Sequence, residues 1–158
     1  MIPRVYIETS VISYLVARRN QRDLLVAANQ ELTREWWETR RQKFALYASV
    51  VVLAEAARGD QSMAAARMAI ARELTLVEVT DSAMDLARAL LQNAGLPHDA
   101  NEDALHIAIA AASGLEYLLT WNCKHIANAF IIPRVNAVVR SHGFEPPLIY
   151  TPQELMED

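Results

Sequence analysis

Apolar residues in this chain recur in two rhythms: short β-type runs, and longer stretches at helical spacing. Val5–Ile7 is a compact apolar run ending at Glu8-Thr9-Ser10, and it predicts a buried strand, central in a parallel sheet. Val11 to about Val16 reads as the first turns of a helix. A longer helix is predicted from Asn20 to about Gln42, with Leu24, Leu25, Ala28, Leu32, Trp36 and Trp37 on its apolar face. Phe44–Ala48 is a second strand. Ser49 then suits an N-cap, because its hydroxyl can accept from an early backbone N–H. The helix it opens runs from Val50 to about Arg58, and Gly59 ends it. Gln61–Glu73 is an Ala-rich helix and Leu74–Val79 a third strand. Thr80 or Asp81 caps a helix that runs to Ala94 and stops at Gly95. Asn101 to about Ala112 is strongly helical, with Gly114 as its stop, and Glu116–Thr120 is a fourth strand. Lys124–Ala129 and Pro133 to about His142 read as short helices. Leu148–Thr151 is a last strand, and Pro152 opens a terminal turn.

Strands alternating with helices argue for an α/β fold, a three-layer α/β/α sandwich around a mainly parallel sheet. No repeat or linker interrupts the pattern. The 158 residues are read as one domain, 1–158. With 53% hydrophobic and 22% charged residues, global disorder is excluded. The formal net charge of −4 argues against a protein that grips long nucleic acid over its whole surface, so any such contact is local. A single cysteine, Cys123, precludes an internal disulfide and fits a reducing compartment. No basic-plus-apolar leader opens the chain, and no apolar run approaches the ~20 residues that span a bilayer. The expectation is a cytoplasmic protein without a membrane segment.

Sites in open α/β sheets form beyond the carboxyl ends of the strands. Glu8 stands where the first strand ends, and Asn122 stands just past the fourth. Glu55 interrupts the apolar sequence Val50-Val51-Val52-Leu53-Ala54, where solvent does not require an acid. Asp103 opens the helix before the fourth strand, where it also complements the helix dipole. Their oxygens are hard ligands suited to Mg²⁺ or Mn²⁺. A divalent ion there can polarise a phosphodiester and orient a water. Ser10 is read as a cap, or as a donor that holds Glu8.

Other chemistries fit less well. His98, His106, Cys123 and His125 could ligate zinc, and Asp103 and His106 share a helical face. No closely spaced Cys or His pairs frame a closed zinc site, however, so His106 reads as a packed or hydrogen-bonded residue. Ser10 and Cys123 lack the setting of a nucleophile, and no glycine-rich phosphate loop occurs. Basic and aromatic residues interleave from Arg34 to Lys43. That segment is either an RNA or partner surface, or a helix with core tryptophans and solvated charges, and the second reading is favoured for Trp36 and Trp37.

Four segments taken in order resemble the PIN-domain family: Val5-Tyr6-Ile7-Glu8-Thr9-Ser10-Val11-Ile12, Ser49-Val50-Val51-Val52-Leu53-Ala54-Glu55, Asn101-Glu102-Asp103-Ala104-Leu105-His106-Ile107-Ala108 and Leu118-Leu119-Thr120-Trp121-Asn122. The chain is particularly similar to VapC-type toxins of type II toxin–antitoxin pairs. The resemblance implies a PIN-like α/β/α fold and an Mg²⁺- or Mn²⁺-dependent endoribonuclease acting on RNA. It also implies a homodimer and a cognate antitoxin protein. Carried over by position, Glu8, Glu55, Asp103 and Asn122 bind metal directly or through water, and Ser10 supports the site. Two positions depart from the family pattern: Glu8 stands where Asp is usual, and Asn122 where an acid is usual. They motivate a second reading, a PIN-like RNA- or protein-binding module with weak or no catalysis. A hydrolase of small phosphoesters is a third.

Overall fold

The computed structural model describes residues 1–156. Five strands form one sheet: β1 (Arg4–Ile7), β2 (Ala45–Ala48), β3 (Thr75–Leu76), β4 (Tyr117–Leu119) and β5 (Leu148–Tyr150). Their order is β3-β2-β1-β4-β5 and every pairing is parallel. Val5 sits opposite Leu46 on one side and Tyr117 on the other. Successive strand residues point to opposite faces, yet Val5, Tyr6 and Ile7 are all fully buried. Both faces of the sheet are therefore covered, as a parallel sheet requires.

Seven α-helices supply that cover among the described residues: α1 (Thr9–Val16), α2 (Leu24–Thr39), α3 (Val50–Ala56), α4 (Gln61–Ala71), α5 (Asp81–Asn93), α6 (Asn101–Ala112) and α7 (Ile132–Ser141). One group packs α1 against α2, α3 and α4, and another packs α5 against α6 and α7. Small residues let α6 lie deep. Ala104 and every residue from His106 to Ala111 are buried. Ser49 caps α3 and Thr80 caps α5 through their hydroxyls. Gly59 and Gly95 follow their helices at positive φ, a region open to glycine. No described helix is long and apolar enough to cross a membrane.

Several sequence expectations are corrected. The long helix begins at Leu24 rather than Asn20, because Asn20 Oδ1 accepts from the N–H groups of Arg22 and Asp23, and Asp23 then caps α2. Its buried stripe is Ala27, Gln30, Thr33, Trp36 and Trp37, whereas Leu24, Leu25 and Ala28 are exposed. Polar residues can lie on that stripe because each has a partner. Gln30 Nε2 donates to Arg18 O at 3.2 Å and Gln30 Oε1 accepts from Asn20 N at 2.9 Å. The third strand shrinks from Leu74–Val79 to Thr75–Leu76, an edge strand paired only to Tyr47 and Ala48. Lys124–Ala129 forms turns, not a helix. The side chain of Asn122 takes the N–H of His125, and the N–H groups of Ile126 and Ala127 converge on Asn122 O.

Candidate metal centre

From β1 the chain crosses to β2 on one side, and later elements place β4 on the other. The crevice beyond the ends of β1 and β4 is thus a topological switch point. The backbone N–H of Glu8 donates to Leu119 O at 3.1 Å, which fixes the end of β1 beside that of β4. Glu8 is also the N-cap of α1, its Oε2 accepting from Ser10 N at 3.1 Å. Its Oε1 accepts from Thr120 Oγ1 at 2.6 Å and from Ser10 Oγ. Ser10 Oγ in turn accepts from Trp121 N at 2.8 Å. Glu8 is only 5% exposed, so these donors offset the cost of burying its charge.

Glu55 projects from α3 into the same crevice. Its Oε1 accepts from Thr9 Oγ1 at 2.6 Å and stands 2.5 Å from His106 Nε2. His106 is wholly buried on α6. Burial works against its charged form, but the Glu55 hydrogen bond and the carboxylates of Glu8, Glu55 and Asp103 together raise its pKa above the ordinary value. Its other nitrogen, Nδ1, lies 2.7 Å from the Tyr6 hydroxyl, which lies 2.8 Å from Ser49 Oγ. Burial, against the Ser49 hydrogen bond and aided by Glu8 and Glu55, pushes Tyr6 far above the usual phenol range and keeps its proton on. One ligand atom from each of Glu8, Glu55 and His106 falls within 4.8 Å of the other two. Two carboxylates and an imidazole this close suit a divalent cation, which would relieve the repulsion between the anions.

Asp103 belongs to a second, adjoining group. Its Oδ1 accepts from Asn122 Nδ2 at 3.0 Å, and its Oδ2 lies 2.8 Å from His125 Nδ1. Asn122 Oδ1 is occupied by the backbone N–H of His125 at 3.0 Å. A backbone N–H can only donate, so the amide must turn its oxygen to His125 and its nitrogen to Asp103. Asn122 therefore holds Asp103 through its amide nitrogen while its oxygen caps the turn after β4. A salt bridge between Arg58 and Glu102, 2.7 Å long, lies at the solvent side.

Sequence reasoning assigned Glu8, Glu55, Asp103, Asn122 and Ser10, and the fold brings Glu8, Ser10 and Glu55 together, with Asp103 and Asn122 in the adjoining group. It weighed His106 and His125 only as zinc ligands, and it gave Thr9 and Thr120 no role. The signal for His106 was its position three residues after Asp103 on one helix face. The zinc set does not assemble: His98 and Cys123 are exposed, and His106 groups with the two glutamates. Partial desolvation of its sulfur, with the charge of Glu154, raises the Cys123 pKa, which disfavours a thiolate ligand. In the basic–aromatic segment, Trp36 is fully buried and Trp37 nearly so, with the Arg41 guanidinium 4.7 Å from the Trp37 ring centre. They are core residues.

No family sequence model and no curated protein matches the chain. Solved structures do match in fold. VapC20 of Mycobacterium tuberculosis, a toxin that cleaves the sarcin–ricin loop, superposes with a TM-score of 0.55 at 20% identity, over 76% of this chain and 91% of that one. VapBC2 from Rickettsia felis, bound to a DNA fragment from its promoter, gives 0.53 at 17% identity, over 93% and 97%. The five-stranded parallel sheet with its helices is thus the VapC-like PIN fold.

Proposed function

We propose that this chain, as one domain over residues 1–158, is a metal-dependent endoribonuclease and the toxin of a toxin–antitoxin pair. The observation that carries the reading is the approach of Glu8, Glu55 and His106 to within 4.8 Å at the switch point of the sheet. The likeness of the fold to a toxin that cleaves the sarcin–ricin loop supports RNA as the substrate class. The likeness to a VapBC protein supports a cognate antitoxin as partner. The family resemblance also supports a homodimer, and the single cysteine fits a cytoplasmic location.

Glu8 and Glu55 would hold an Mg²⁺ or Mn²⁺ ion, and Asp103 would add its charge from the adjoining group. A bound ion supplies Lewis-acid polarisation of a scissile phosphodiester and of the attacking water. The protein's own part is positional. Ser10 and Thr120 fix the Glu8 carboxylate, Thr9 fixes that of Glu55, and Asn122 and His125 fix that of Asp103. Ser10 is a donor to Glu8, not a nucleophile. Glu8 in place of Asp still caps α1, its carboxylate accepting from the Ser10 N–H. The non-catalytic reading is less well supported, since both central glutamates keep positioning donors, Ser10 and Thr120 on Glu8 and Thr9 on Glu55.

The test is RNA cleavage by purified protein with Mg²⁺ or Mn²⁺, with chelator, and with Glu55→Gln. The expectation is loss of cleavage in chelator and a fall on the order of a hundredfold or more in the variant. Equal cleavage in chelator overturns the mechanism. Turnover of small phosphoesters without RNA cleavage would move the protein to a different hydrolase class.

A further inference from the structure

We infer that His106 is a nitrogen ligand of the bound ion, and that it biases the site toward Mn²⁺-class metals over Mg²⁺. The inference rests on the metal-nuclease reading above and narrows it. Tyr6 sits between two groups. Ser49 Oγ already accepts from Val51 N at 3.2 Å and lies 2.8 Å from the Tyr6 oxygen, on whose far side His106 Nδ1 stands at 2.7 Å. With the phenol proton directed to Ser49, the Tyr6 oxygen accepts from Nδ1–H. That fixes the tautomer in which Nε2 carries the lone pair.

In that tautomer Nε2 points its lone pair at Glu55 Oε1, 2.5 Å away. Two acceptors at that distance need a proton between them, and an ion bound by both would take that proton's place as the two atoms draw apart to make room for it. The imidazole is wholly buried and gripped from behind, so it cannot swing aside to leave an all-oxygen site. Mg²⁺ demands hard oxygen ligands and gives up water reluctantly, whereas Mn²⁺ and later divalent ions accept imidazole more readily. A Glu-Glu-His donor set therefore selects between ions that an all-carboxylate set would bind alike.

The test is direct binding of Mn²⁺ and Mg²⁺ to the full chain by calorimetry, together with pulsed electron paramagnetic resonance of the Mn²⁺ complex. The wild type should bind Mn²⁺ at least about tenfold more tightly than Mg²⁺. It should also show ¹⁴N coupling, replaced by a ¹⁵N pattern when histidine is ¹⁵N-labelled. His106→Gln should lose the coupling and most of the preference, while His125→Gln should keep the coupling. Tyr6→Phe should keep it with affinity reduced about tenfold. If His106→Gln fails to fold, the labelled wild type with His125→Gln and Tyr6→Phe still decides, because His98 and His142 are exposed and apart from the cluster. Bound Mn²⁺ without nitrogen coupling overturns the inference and leaves the metal-nuclease reading standing. Failure of both ions to bind the folded protein removes the reading itself, and the inference with it.

Discussion

Asn122 donates its amide N–H to Asp103 Oδ1 at 3.0 Å while its amide oxygen caps the N–H of His125. One side chain thus shapes the turn after β4 and gives the Asp103 carboxylate a donor. Asn122→Asp keeps an oxygen for the His125 N–H but sets a carboxylate against Asp103. In chelator the variant should lose roughly 1–3 kcal/mol of stability, because a hydrogen bond becomes a like-charge contact. Urea melts with and without Mn²⁺ measure it. Saturating metal should recover much of the loss, and no difference between the two conditions would place the contact away from the ion.

The metal-free protein should lose stability as pH rises. The folded pKa of His106 is raised above its ordinary value, despite burial, by Glu55 and the neighbouring carboxylates. Its contribution is fully present below the unfolded pKa of about 6.5 and disappears as pH climbs through the higher folded value. Thermal melts in chelator across that window should show a decline that His106→Gln lacks. A flat profile in the wild type would mean that the Glu55–His106 pair does not hold an extra proton in the folded state.

Trp36 and Trp121 should separate core from site. Trp36 is fully buried, stacks on Phe44 with ring centres 5.6 Å apart, and donates from Nε1 to Leu155 O at 3.1 Å. Trp36→Ala should cost about 3–5 kcal/mol. Trp121→Phe removes only the indole donor to Thr33 Oγ1 and trims the stack on Tyr14, so about 1 kcal/mol is expected. Chemical denaturation of both variants checks the ranking. A near-neutral Trp36→Ala would return that residue to the surface reading.

The features legible in the sequence were those with local causes. The span of α6, Asn101–Ala112, follows from its apolar pattern and Gly114, and the Ser49 cap follows from a hydroxyl placed before an apolar run. Glu55 stood out because it broke that run. What could not be read depends on partners distant in the chain. Gln30 and Thr33 take the buried face of α2 because the Asn20 turn and Trp121 receive them, which leaves Leu24 and Leu25 in solvent. The turn at Lys124 needs the Asn122 side chain, which no helical periodicity reports. His106 meets Glu55 across 51 residues, a contact set by the order of strands rather than by spacing.

The central claim is that Glu8 and Glu55 share one divalent ion. Anomalous scattering from a crystal soaked in Mn²⁺ tests it most directly. A single strong peak is expected within bonding distance of both glutamate carboxylates and on the Nε2 side of His106. At saturating Mn²⁺, an empty crevice or a peak held only by other residues would contradict it.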